Sequence, residues 1–264
     1  MAIAEPHEAS AGSPSPVLEL RAVSLSYGGL QALDSVDVAI PSGSITGLIG
    51  PNGAGKTSMF DVVTGLTRPT KGEVFLHGQD VTHARPARRA RLGLGRTFQR
   101  LELFSSLTVR ENVAVAAESA HRARFSPGRW HLTTSQAREA ADRQLETVGL
   151  GDVADRRVDT LSTGTARLVE VARSLAARPS VLLLDEPASG LDTNESGRLA
   201  DLLGTLAAAG IGVLIVEHDV ELVMRVCSHV FVLDRGTVIA AGTPAAVRSD
   251  PAVRAAYLGQ MALP

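Results

Sequence analysis

Residues 44–66 read "SITGLIGPNGAGKTSMFDVVTGL", and this stretch decides the fold. "SITGLI" (44–49) is a short apolar run of strand character, and "TSMFDVVTGL" (57–66) places its apolar residues at helical spacing. The glycine-rich join, "GPNGAGKT" (50–57), fits G-x-x-x-x-G-K-[ST] and stands between strand and helix, as phosphate binding requires. The backbone N–H groups of Asn52 to Thr57 are expected to wrap a β-phosphate at the positive end of the helix. Gly53 and Gly55 allow the turn and the close approach. Lys56 is placed to bridge β- and γ-phosphates, and the Thr57 hydroxyl to ligate Mg2+. The expected nucleotide-binding run is Gly50, Pro51, Asn52, Gly53, Ala54, Gly55, Lys56, Thr57 and Ser58. Average residue usage yields this pattern by accident in roughly one chain of this size per hundred. Of 26 Lys plus Arg only Lys56 and Lys71 are lysines, which makes an accident rarer still.

Upstream, "VLELRAVSLSY" (17–27) and "LDSVDVAI" (33–40) alternate as strands do, and "RPTKGE" (68–73) turns into the strand "VFLHG" (74–78). The middle of the chain, about 101–178, differs. "LTVRENVAVAAESA", "SQAREAADRQLETVG" and "TARLVEVARSLAA" are amphipathic helical patterns with few strand signals. After them come the apolar strand "SVLLLDEP" (180–187), a helix (194–210), a second apolar strand "IGVLIVEH" (211–218) and a helix (219–228). "VFVLD" and "TVIAAG" flank "RG" as a hairpin, and short helices close the chain over about 243–259. Apolar strands alternating with helices predict an α/β fold with a parallel sheet covered on both faces and a helical insertion in its middle. Asp192 with Glu195 is a capping-box start for the helix that follows.

Composition narrows the function. A chain of 264 residues, 44% hydrophobic and 20% charged, supports one large domain with a substantial core, expected over 17–264. The formal net charge of −2 argues against nucleic acid as a partner. A lone cysteine, Cys227, allows no internal disulfide and fits a reducing compartment. The longest apolar run, Ala207 to Val216, is short of the roughly 20 residues that span a bilayer. Residues 1–16, "MAIAEPHEASAGSPSP", lack a basic start and an apolar stretch, so they read as a disordered tail rather than a signal peptide. A soluble, cytoplasmic chain is expected.

Further segments carry chemistry. "VLLLDEP" (181–187) delivers two carboxylates at the end of a buried strand, in the crevice where ligands of such sheets bind. Asp185 suits a Mg2+ partner, and Glu186 suits the base that orients an attacking water. As an isolated pair they would more often open a helix or turn; behind a phosphate loop they point to phosphoryl chemistry. "IGVLIVEH" repeats the device with His218, a candidate γ-phosphate sensor that alone would more often be structural. "LSTGTARLVEVARSL" (161–175) is a hydroxyl-rich helix start that leaves N–H groups open. An exposed anion there gains about 0.3–1 kcal/mol.

The order Tyr27, GPNGAGKT, Gln99, LSTGT, LLLDEP, SGLD and His218 resembles the ATP-binding subunits of ABC transporters, from about Val17 to Gly259. The resemblance implies a P-loop NTPase of ABC type, with an antiparallel β subdomain beside the mostly parallel core, and ATP as the nucleotide. Tyr27 would stack on adenine; alone it would read as a strand-end core tyrosine. Stacking of this kind is worth about 1–3 kcal/mol. Gln99 would touch Mg2+ and the attacking water. Ser162 and Gly164 would contact the γ-phosphate held by a partner subunit, and "ASGLD" (188–192), ending in Asp192, would form the contact between the two. The common pattern there is LSGGQ; Thr163 and Thr165 depart from it, and Thr163 would be strained if its backbone needed positive φ.

"GRTFQRLELFSSLTVRENV", "IVEHDV" and "DPAVRAAYLG" resemble the branched-chain amino-acid importer group, with urea and amide importers beside it. The implied partners are a second ABC ATPase subunit, transmembrane permease subunits and an extracytoplasmic solute-binding protein, with the chain peripheral on the cytoplasmic face of the membrane. A non-transport ABC ATPase is the alternative, but it would carry paired cassettes or a long coiled coil that this sequence lacks. Arg85, Arg88, Arg89, Arg91, Arg96 and Arg100 read either as a solvated basic face or as a surface near the permease or lipid head groups.

Overall fold

The computed structural model describes residues 16–97, 101–124 and 133–258. The chain runs β1 (Pro16–Tyr27), β2 (Leu30–Pro41), β3 (Ile45–Ile49), α1 (Lys56–Thr64), β4 (Lys71–Leu76), β5 (Gln79–Asp80), α2 (Pro86–Arg91) and β6 (Leu94–Arg96). The helices α3 (Val109–Arg124), α4 (Thr134–Thr147) and α5 (Thr163–Ala176) follow. Then come β7 (Val181–Asp185), α6 (Thr193–Ala208), β8 (Gly212–Val216), α7 (Val220–Val226), β9 (His229–Asp234), β10 (Thr237–Gly242), α8 (Pro244–Ser249) and α9 (Pro251–Leu258). Among the described residues the strands form two sheets, β2-β1-β4-β5 and β10-β9-β3-β8-β7-β6. The first is antiparallel throughout; the second is parallel except for β10.

The apolar strands owe their composition to burial on both faces. On β7, Leu182 and Leu184 enter one core while Val181 and Leu183 enter the other. On β8, Val213 and Ile215 alternate with Leu214 and Val216 in the same way. Successive side chains of a strand point to opposite faces, so a sheet sandwiched between two cores needs an unbroken apolar run. The antiparallel sheet and α1 cover one face; α5, α6 and α7 cover the other. Gly47 of β3 lets α7 approach: a Cβ there would sit 2.6 Å from Val223 and 3.1 Å from the Cys227 sulfur.

The helices α3, α4 and α5 stand between β6 and β7, where the insertion was expected. Thr133 caps α4 and Asp192 caps α6, each in a full capping box. The expected tail lies outside the described residues except for Pro16, which pairs with Pro41 as the first residue of β1. Among the described residues no helix is long and apolar enough to cross a membrane.

Candidate functional site

The centre of the parallel sheet is β3, with β8 on one side and β9 on the other, and the glycine loop leaves its C-terminal end. Gly50 has φ 156°, and a Cβ on it would lie 2.1 Å from the Leu233 carbonyl oxygen. Gly55 has φ 107°, and a Cβ there would lie 2.6 Å from the Ala32 carbonyl oxygen. Only glycine fits either place. The β1–β2 hairpin thus abuts the loop through Ala32, and Tyr27 stands near its tip, 48% exposed. The β9–β10 turn, which packs beside Ala32, supports the loop as well, the Gly236 N–H donating to the Ala54 carbonyl at 2.8 Å.

Helix α1 begins at Gly55 with no side-chain cap, whereas Thr133, Ser162, Asp192, Asp219 and Thr243 cap their helices. The first-turn N–H groups of α1 therefore remain open to an anion. Lys56 is buried in the loop and donates to the carbonyls of Gly50 at 2.6 Å and Pro51 at 3.0 Å. Burial pushes its ammonium pKa down, and Glu186 and Asp185 nearby push it back up. The Thr57 side chain is exposed beside it.

The opposite end of α1 is held by Arg89 of α2, which is 1% exposed. Its guanidinium donates to the carbonyls of Val62 and Val63, both at 2.6 Å, of Thr82 at 3.0 Å and of Ala84 at 3.1 Å. A cation at the negative end of the helix complements its dipole, although burial pushes the Arg89 pKa down to about 10. This corrects the solvated-face expectation. Arg85, Arg88 and Arg91 are exposed, but Arg89 and Arg96 turn inward because buried acceptors await them. Arg100 and Gln99 lie outside the described residues.

At the C-terminal ends of β7 and β8 the expected groups converge. Asp185 is buried, and burial raises its carboxyl pKa against the pull of Arg96. The Arg96 guanidinium lies 3.6 Å from Asp185 and 3.0 Å from Asp61. Glu186 has φ 50°, a left-handed backbone that costs a non-glycine residue about 1–3 kcal/mol. Its carboxylate Oε1 accepts from His218 Nε2 at 2.7 Å. Glu217 was not singled out in the sequence, though it follows an apolar strand just as Glu186 does. It is 5% exposed and accepts from the Ala188 N–H at 2.6 Å.

A second group forms at the start of α5. Ser162 is exposed and caps its own helix, its Oγ accepting from the Thr165 N–H at 3.2 Å and lying 2.9 Å from the Thr165 hydroxyl. Thr163 is the first residue of α5 and is not among the positive-φ residues, so the expected strain does not arise. Gly164 is buried, and a Cβ on it would lie 2.5 Å from the Glu195 carboxylate. That carboxylate accepts from the Asp192 N–H at 3.0 Å, while Asp192 accepts from the Glu195 N–H at 2.8 Å. Ser162, Gly164 and Asp192 therefore belong to one packed unit made of α5, the 188–192 loop and α6.

An open groove of about 610 Å³ lies between α2, α3 and α5, with Ala87, Ala90, Arg91, Phe104, Val115 and Ala116 in its wall. Phe104 is 49% and Val115 42% exposed. Buried Glu170 of α5 accepts from the Glu102 N–H at 2.8 Å, and Arg173 donates to the Glu102 carbonyl, so the segment that carries Phe104 is tied to α5.

The chain is similar to known proteins over most of its length. Residues 33–189 match the family model described as ABC transporter, and residues 237–262 match that of the branched-chain amino acid ATP-binding cassette transporter. The chain is 37% identical over 251 residues to the high-affinity branched-chain amino acid transport ATP-binding protein BraF of Pseudomonas aeruginosa, covering 93% of this chain and 98% of BraF. It is also 36% identical over 244 residues to the lipopolysaccharide export system ATP-binding protein LptB of Haemophilus influenzae, covering 92% and 98%. The crystal structure of a nucleotide-free ATP-binding cassette from an ABC transporter superposes with a TM-score of 0.83 at 30% identity, covering 93% of this chain and 100% of the cassette. The dimeric structure of the bacterial ABC transporter cassette MJ0796 gives 0.76 at 26% identity, covering 86% and 98%.

Proposed function

The chain belongs to the ABC transporter family of ATP-binding cassettes and is an ATPase, and from that premise we propose that it is one of two cassettes driving import of branched-chain amino acids through a membrane permease. The C-terminal match over 237–262 favours that cargo. The likeness to an export-system subunit supports a second reading, the same motor serving a different cargo. In both, residues 17–264 act as one ATPase domain with a helical subdomain over about 101–178.

The chain's own groups divide the chemistry. Gly50 to Ser58 cradle the triphosphate, and Lys56 exchanges the Gly50 and Pro51 carbonyls for phosphate oxygens. Tyr27 stacks on adenine. Glu186 takes a proton from the attacking water, with His218 against its carboxylate to orient it and meet the γ-phosphate. Among the described residues no three acidic, histidine or cysteine side chains gather as a metal cage. Mg2+ needs no such cage, since it takes few protein ligands and the rest from phosphate and water. Thr57, Asp185 and Gln99 are its proposed ligands, and bound Mg2+ would offset phosphate charge. Ser162 and Gly164 close the nucleotide of the partner cassette, and Asp192 lies at the contact. The groove at Phe104 and Val115 receives a permease helix, placing the chain on the cytoplasmic face of the membrane. An extracytoplasmic solute-binding protein completes the importer.

The observation that carries this proposal is the 2.7 Å contact between Glu186 and His218 beside the Lys56 loop. Glu186→Gln is expected to bind ATP with parental affinity, to hydrolyse it at least about 100-fold more slowly, and to accumulate ATP-closed dimers. Near-parental turnover would refute the role of Glu186.

A further inference from the structure

The strands β7 and β8 pair in parallel as far as Asp185 and Val216. Their last rung is the Glu186 N–H on the Val216 carbonyl at 2.9 Å. Beyond it the two chains diverge, one turning at Pro187 and the other leading through His218 to α7. One buried side chain, Glu217, bridges the gap. Its Oε1 accepts from the Ala188 N–H at 2.6 Å, and its Oε2 accepts from the His218 N–H at 3.2 Å. Burying a carboxylate is costly, and it raises the Glu217 pKa. The carboxylate brings something an amide lacks: two acceptor oxygens and no N–H.

A left-handed conformation at a non-glycine residue persists only where its surroundings over-determine it. Glu186 is fixed by its N–H on Val216, by the Ser189 N–H donating to its carbonyl at 3.1 Å, and by the anchoring of Ala188 on Glu217. The same Glu217 carboxylate engages the backbone of His218, whose ring meets Glu186. The two side chains of the hydrolytic pair thus hang from backbone segments tied together through a third.

We infer that Glu217 is a positioning residue for ATP hydrolysis: it stands in for the missing rung between β7 and β8 and so sets Glu186 against His218. Glu217 acts through backbone N–H groups, without touching nucleotide or water. The inference rests on the assignment of Glu186 as base.

Glu217→Gln tests it, because the amide keeps the volume but turns an NH2 toward one of the two N–H donors. The full-length chain is assayed for kcat, KM, nucleotide affinity and Tm. In the parent background kcat is expected to fall roughly 10- to 100-fold, the penalty of a small misplacement of a reacting group. KM and affinity should stay within about twofold, because the phosphate loop hangs from β3 and α1. In a Glu186→Gln background the same change should alter the residual kcat by less than about twofold, since the group through which it acts is gone. Glu217→Asp keeps both acceptors and should retain more activity than Glu217→Gln. Parental kcat in Glu217→Gln, equal losses in both backgrounds, nucleotide affinity falling in step with kcat, or Glu217→Gln outperforming Glu217→Asp would each overturn the inference. A slow Glu186→Gln beside a normal Glu217→Gln overturns this inference alone. A normal Glu186→Gln removes the base assignment and this inference with it.

Discussion

Two helix starts are assigned to phosphate in this molecule, and they are built in opposite ways. At α1 the cap is Gly55, no side chain covers the helix end, and a loop folded back from β3 encircles it with Lys56 inside. At α5 the cap is Ser162, whose hydroxyl already accepts from its own helix and which stands exposed at the edge of the 188–192 loop. The first is a whole cradle within one chain, with its own ammonium on the loop carbonyls. The second is stable alone, its cap made within its own helix. A helix start that waits for another molecule must be satisfied before that molecule arrives, and its own cap satisfies this one.

Separating binding from turnover should break the comparison most sharply. Lys56→Ala is expected to weaken ATP binding by at least about 100-fold, because a buried charge-assisted contact to phosphate is lost. Ser162→Ala should leave ATP affinity of the isolated chain within about twofold while turnover falls roughly 10-fold. Titration calorimetry on dilute protein, set beside steady-state ATPase assays, reads both. Equal effects of the two variants on affinity would place Ser162 in the same site as Lys56.

The rear clamp on α1 comes next. Arg89→Met removes the side-chain donor from the carbonyls of Val62, Val63, Thr82 and Ala84, leaving Val62 with the Gly65 N–H, at a cost of about 3 kcal/mol. For a domain of this size that lowers Tm by roughly 6–12 °C, read by calorimetry. A smaller effect separates the helix starts by pH. Burial holds the Lys56 pKa below its ordinary value, so the ammonium is lost earlier than in free lysine as pH rises. ATP affinity should therefore fall on the alkaline side from a lower pH than ordinary lysine titration would give, and Ser162→Ala should leave that profile in place. The smallest change expected is at Thr163. It is helical, so Thr163→Gly relieves no strain and costs about 0.5–1 kcal/mol in Tm measurements, with turnover near parental.

What was legible in the sequence follows the same division. The loop, Asp185, Glu186 and His218 could be read because each lies at the end of an apolar strand, where local pattern and three-dimensional position coincide. Arg89 could not. In a run of arginines it looks solvated, and the carbonyls that draw it inward include those of Val62 and Val63, 27 and 26 residues away. Gly164 entered by resemblance, as a contact to a partner's phosphate; that a side chain there would meet Glu195 was not legible, because Glu195 is distant in the chain. Glu217 carried the signal of a strand-end acid, but its work is to replace a rung that exists only once β7 and β8 have diverged.

Each chain is proposed to hold one ATP alone but to hydrolyse it only against a second cassette. The direct measurement is ATP turnover per chain across a dilution series, with oligomeric state and nucleotide affinity read in the same samples. Turnover per chain should fall in step with the dimer fraction while affinity holds constant. Undiminished turnover in samples shown to be monomeric would contradict it.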